Sequence, residues 1–114
     1  SRTVELHLVG KGTAARGTET SDGFVVFAGS LARSDEVPSI HTYGTQLRAA
    51  LVESGRLVAD GEHLRLTEDY VFSSPSTAAM VMLGRTSNGR VEWKTSDGVS
   101  LKELQGSDAG ESAS

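Results

Sequence analysis

Ser73, Ser74, Ser76 and Thr77 crowd four hydroxyls around Pro75, and Arg85, Asn88, Arg90 and Lys94 follow in the same stretch, SSPSTAAMVMLGRTSNGRVEWK, residues 73–94. Hydroxyls ahead of an apolar run mark a helix start. Unpaired backbone N–H groups and the positive end of the helix dipole there suit a phosphate or carboxylate. Ser74 and Ser76 are therefore candidate anion-holding residues. The same residues also serve ordinary capping, because serine accepts from a free amide and proline fits a first turn that needs no N–H. Arg85, Arg90 and Lys94 can grip phosphates, and Asn88 beside them can probe a base or sugar edge. The competing reading is a solvated face on which Glu92 offsets its neighbours and Asn88-Gly89 only turns the chain.

Other chemistry finds little support. His7, His41 and His63 are scattered, without the spacing of a metal site. Glu68 and Asp69 are adjacent, and neighbouring carboxylates on a strand point to opposite faces, which suits paired acid–base work poorly. There is no Gly-x-Ser-x-Gly elbow, and GKGTAARG lacks the terminal Gly-Lys-Ser/Thr order of a phosphate-binding loop. With no cysteine, thiol catalysis, disulfides and cysteine-ligated zinc are excluded. No catalytic residue, metal ligand or cofactor is assigned.

Charge is unevenly spread. The chain carries a formal −4, which argues against indiscriminate nucleic-acid binding, yet residues 73–94 hold three basic residues against Glu92 alone. The tail QGSDAGESAS, 105–114, has Asp108 and Glu111 and no cation. Apolar residues make up 37% and charged residues 23% of 114, which describes one small globular domain. No apolar run is long enough to span a bilayer, and no charged-then-apolar leader is present. The lack of cysteine fits a reducing cytoplasm. A start at Ser1 rather than Met suggests a piece of a larger protein.

The elements that must position these residues follow from periodicity. TVELHLV alternates as a half-buried strand, GTAARGTET reads as a second, and Asp22-Gly23 turns the chain into a third, GFVVF. SLARSDEVPS reads as a polar connection. Ile40, Tyr43, Leu47, Ala50 and Leu51 fall at helical spacing, predicting a helix over 43–54 that stops at Gly55. RLVADGEHLRL is extended about a turn at Asp60-Gly61, and TEDYVF leads to the second helix, from Ser74-Pro75 to Gly84. RVEWK then reads as a strand with Val91 and Trp93 facing the core, and SDGVSLKEL as a turn and a short element, strand or helical turn. The predicted fold class is α+β: an N-terminal antiparallel meander, two main helices and further short strands in one single-layer-sheet domain. It spans 1–104, with 105–114 as a flexible tail.

The run SDGFVVFAGS, LRAALVESGRL, TEDYVFSSPSTAAMVMLGRTSNGRVEWK and DGVSLKEL resembles domain-of-unknown-function family 4357 over about residues 14–104. This bacterial and archaeal family is commonly found C-terminal to GIY-YIG nuclease domains. The Ser-Pro-Ser, Ala-Ala, Asn-Gly and Trp pattern is more distantly similar to restriction and adenine-methylase-associated domains, which have been proposed to recognise modified DNA. The resemblance implies a noncatalytic companion to nucleic-acid enzymes, with DNA and a fused or partner nuclease domain as partners and no membrane. It brings no catalytic residues with it. An apolar pocket for a modified base would fall to Val81, Met82 or Tyr70. The alternative is a protein-interaction or dimerisation module, which the acidic total charge favours.

Overall fold

Residues 4–106 are described in this computed structural model. Strand β1 (Leu6–Gly10) turns back into β2 (Thr13–Thr20), and a two-residue turn at Ser21-Asp22 leads to β3 (Gly23–Val26). Period-two alternation sends Leu6, Leu8, Ala15, Phe24 and Val26 to one face, where all are buried. β2 is the hub of the sheet. Its Ala14 and Gly17 each have partners on both sides, with β1 along one edge and β3 and β4 (Leu31–Arg33) successively along the other. From β4 the sheet continues to β6 (His63–Leu66) and β5 (Leu57–Asp60), and from β3 to β7 (Tyr70–Phe72). Every pairing is antiparallel.

Helix α1 (Thr42–Glu53) and helix α2 (Pro75–Leu83) lie over the apolar face. α2 is the central one. Ala78 to Leu83 are all buried, as expected of a helix that is apolar all round and enclosed on every side. Its start is fixed by Ser74, whose Oγ accepts from the Thr77 N–H at 3.1 Å, and by Pro75 in the first turn. It stops at Gly84, whose φ of 70° is a left-handed conformation that costs glycine nothing. Below α2, Trp93 packs on Phe24 with ring centroids 4.5 Å apart, and Phe72 meets Tyr70 edge-on. Together with Leu57, Leu66 and Leu101 they complete one core.

The α+β class, the single sheet and the three-stranded opening are as the sequence predicts. Two elements differ. SLARSDEVPS contains β4, a three-residue strand that joins the two halves of the sheet. RVEWK is not a strand: Gly89–Glu92 form a one-turn helix, α3, capped by Asn88, whose Oδ1 accepts from the Arg90 N–H. Trp93 is fully buried as expected, but Val91 is 43% exposed, because a helical turn separates residues that a strand would align. The short element after Ser100 is a helix, α4, helical over 101–106. Ser100 and Glu103 cap it reciprocally: the Ser100 N–H donates to Glu103 Oε1, and the Glu103 N–H donates to Ser100 Oγ. Residues 107–114 of the expected tail lie outside the described residues. No described helix is long and apolar enough to cross a membrane.

Candidate nucleic-acid interface

The hydroxyls singled out by sequence are spent largely inside the protein. Ser74 caps α2 through Thr77, and the Ser74 carbonyl accepts from the Ala78 N–H. Ser76 Oγ accepts from the Gly89 N–H at 2.9 Å, pinning α3 to the start of α2. Gly89 packs so closely there that a Cβ on it would overlap the Pro75 carbonyl and the Ser76 nitrogen. The Pro75 carbonyl also accepts from the Trp93 indole N–H at 3.0 Å. The amide end of α2 is thus covered by the backbone of Gly89.

The cations divide into groups. Arg85 donates to Ser87 Oγ at 3.0 Å and pairs with Glu92 at 3.3 Å. Arg90, on exposed α3, donates to Gln105 Oε1 at 2.6 Å, and Gln105 in turn donates to Glu19. Lys94 bridges β1 through backbone bonds to His7 and is itself followed by a bridge to Ser100. Its side chain is exposed beside a shallow hollow lined by His7, Val9, Glu92 and Thr95. Glu103 lies close enough to feel the Lys94 charge. The Ser100 backbone amide is the main reason that its carboxyl is held below the usual range; the Ser100 hydroxyl and then Lys94 reinforce the effect. Ser76, Asn88 and Arg85 are therefore gathered around the α2 start and the loop that follows the helix, whereas Arg90 points toward α4 and Lys94 toward β1.

Sequence patterns do not reveal the pocket beside this cluster. His41, Tyr43, Ser76, Thr77, Thr86 and Ser87 surround Met80 in an open hollow of about 260 Å³. The His41 N–H donates to Thr86 Oγ1 at 2.8 Å, tying the start of α1 to the loop after α2. Tyr43, assigned by helical spacing to the core side, is 51% exposed at this rim. Val81 and Met82 are fully buried and Tyr70 packs on Phe72, so none of the three lines this hollow. Lys102 on α4 adds a further exposed cation that sequence patterns give no reason to single out.

Among the described residues, Arg16, Arg33, Arg48, Arg56, Arg65 and Arg85 each pair with a carboxylate, while Lys11, Arg90, Lys94 and Lys102 do not. No group of three or more His, Asp or Glu side chains among the described residues could hold a metal ion. The architecture is that of a small open-sheet α+β domain. A family model matches residues 6–105, and the chain belongs to that family, described as Domain of unknown function (DUF4357). No curated protein and no solved structure matches it.

Proposed function

We propose that this chain is a noncatalytic accessory domain of a nucleic-acid-processing protein that contacts DNA, including modified DNA, through the 74–94 segment. The supporting observation is the charge arrangement: Arg90, Lys94 and Lys102, close together in sequence, are uncommitted to carboxylates, whereas the described arginines elsewhere are ion-paired and Lys11, in the turn after β1, is the other unpaired cation. Cations that neutralise phosphates displace the counterions condensed on the nucleic acid, and this release is the main sequence-independent source of affinity. Arg85, oriented by Ser87 at the edge of the hydroxyl-lined hollow, supplies a fourth contact, and Asn88 stands exposed next to it. Tyr43 offers a face on which an unstacked base can lie. The GIY-YIG nuclease association implied by the resemblance, and the cytoplasmic location that the lack of cysteine suggests, belong to the same reading.

The test is binding of the intact chain to single-stranded, duplex and methylated DNA across a salt series, read by fluorescence anisotropy. Replacing Arg85, Arg90 and Lys94 together by Ala should weaken binding and flatten the salt slope by about 0.7–0.9 unit per lost phosphate contact. Absence of binding at low salt, or an unchanged slope in the triple variant, removes the assignment.

A further inference from the structure

A hollow of about 550 Å³ is lined by Lys11, Arg33, Ser34, Asp35, Glu62 and His63. These residues come from the β1–β2 turn, from β4 and the loop after it, and from the β5–β6 hairpin. Pairing brings them together. Arg33 lies opposite His63 in the β4–β6 register, and Gly12, at a φ of 75°, sets the β1–β2 turn against Arg33. A Cβ on Gly12 would lie only 3.7 Å from the Arg33 Cα. His63 Nδ1 is 3.0 Å from the Gly12 carbonyl oxygen. That oxygen can only accept, so Nδ1 carries the hydrogen and Nε2 is left for a ligand.

The Arg33 Nε–H donates to Asp35 Oδ1 at 2.6 Å and one terminal nitrogen donates to Oδ2 at 3.2 Å. The other terminal nitrogen has no acceptor among the described residues. The hydrogen bond from Arg33 is the main reason that the Asp35 carboxyl is held below the usual range, and the Lys11 charge acts in the same direction. The end of α2 lies nearby, with Gly84 packed against Asp35 and Arg33, but these cations do not cap it. The Val81, Met82 and Gly84 carbonyls already accept from Arg48, from the Thr13 hydroxyl and from the Val37 N–H.

We infer that this hollow binds a small polyhydroxylated phosphate monoester, a sugar phosphate. The Lys11 ammonium, the unspent Arg33 nitrogen and the Ser34 hydroxyl supply donors for the phosphate oxygens. Lys11 and Arg33 balance Asp35 and Glu62 in charge, and that balance sets the specificity. A bare phosphate meets Glu62 as a like charge, whereas ligand hydroxyls make Glu62 and His63 Nε2 into hydrogen-bond acceptors. No Leu, Val, Met, Phe, Tyr or Trp side chain lines the hollow, so the organic part it admits is polar. Its volume falls within the ~300–1,000 Å³ of small-molecule sites. None of these residues lies in segment 74–94, so the inference does not rest on the proposed DNA contact.

Amide NMR titration of the intact chain with ribose 5-phosphate tests it. Saturable shifts should concentrate at Gly12, Ser34, Asp35 and His63, with weaker binding of inorganic phosphate and none of ribose. Lys11→Gln, in an exposed turn, should raise the dissociation constant roughly tenfold, the worth of one charge-assisted hydrogen bond. Arg56→Gln removes a cation outside the hollow and should leave it unchanged. The same titration with a DNA oligonucleotide bearing a 5′-terminal phosphate identifies the source. Tighter binding than ribose 5-phosphate at these amides assigns a nucleic-acid end, and weaker binding assigns a free sugar phosphate. Absence of saturable shifts at millimolar ribose 5-phosphate overturns the inference. So does an unchanged constant in Lys11→Gln, or inorganic phosphate or an unphosphorylated oligonucleotide binding there as tightly as ribose 5-phosphate.

Discussion

Removing the Arg48 guanidinium should unfasten α1 from the rest of the molecule. Arg48 is only 3% exposed. Its Nε–H donates to Glu36 Oε2 at 2.8 Å, one terminal nitrogen donates to the Val81 carbonyl and the other to the Arg33 carbonyl at 2.7 Å. One planar fork thereby ties α1, the C-terminal turn of α2, β4 and the loop beyond it. In Arg48→Ala the Val81 and Arg33 carbonyls lose these donors, at about 1–3 kcal/mol each. Glu36, with a side chain 29% exposed, can partly rehydrate and adds little. The sum, about 2–6 kcal/mol, brackets the ~3–5 kcal/mol usual for breaking a buried pair from one side. A small domain has only about 5–15 kcal/mol in total. Urea unfolding followed by fluorescence of Trp93, buried and the sole tryptophan, reads the effect. With a slope of about 1–3 kcal/mol per molar urea, the midpoint should fall by roughly 2 M. Arg48→Lys should recover only part, because a point charge cannot serve three divergent acceptors in the fork geometry. A loss below about 1 kcal/mol in Arg48→Ala, or wild-type stability in Arg48→Met, would refute the reasoning. The second outcome would leave side-chain packing, rather than the hydrogen-bonded fork, as the source of stability.

Two glycines should respond in opposite ways. Gly89→Ala must displace the Pro75 backbone and should cost about 2 kcal/mol or more in the same urea assay. Gly44→Ala meets only side chains, Met80 Cγ and Sδ at 2.8 Å and Ile40 Cδ1 at 3.2 Å, and gains about 1 kcal/mol of helix propensity, so the midpoint should stay nearly unchanged. Trp93→Phe removes the indole donor from the Pro75 carbonyl and should lower stability by about 1–3 kcal/mol in thermal unfolding monitored by circular dichroism. Glu103 has its folded pKa depressed, chiefly by the Ser100 amide. Its contribution to capping α4 is therefore present above the ordinary carboxylate value and is lost as pH falls through the lowered one. Amide exchange at residues 101–106 should accelerate over that acid window in the wild type, and Glu103→Gln should abolish the pH dependence.

The turns and α2 were legible because their signals are local. Asp22-Gly23 and Asp60-Gly61 bracket real hairpins, and Ser74-Pro75 with Gly84 bound α2 to the residue. β4 was hidden because three residues in a polar run acquire strand character only by bridging β2 and β6. Over RVEWK, apolar residues two apart fit an alternating strand and a capped helical turn equally well; contact between Gly89 and Pro75 decides between them, and no pattern along the chain encodes it. α1 was found within a residue, yet its inward line is Gly44, Arg48 and Leu51 rather than the Tyr43 side. The spacing i, i+4, i+7 was present, but it ran through a glycine and a charged residue that hydropathy discounts. Among the site residues, the capping duty of Ser74 was readable, whereas the hollow beside Tyr43 depends on α1 and α2 meeting in space.

Because β2 is hydrogen-bonded along both margins, it acts as the common ruler for everything placed on the sheet. A single inserted residue within 13–20 would shift β1 against β3 and β4 at once, turning inward side chains outward on several strands together. An insertion at Gly61-Glu62, which only closes the β5–β6 hairpin, would lengthen a loop and leave both branches in step. Loops grafted at residues 61–62 should therefore be accommodated, while comparable length changes in β2 should abolish the fold.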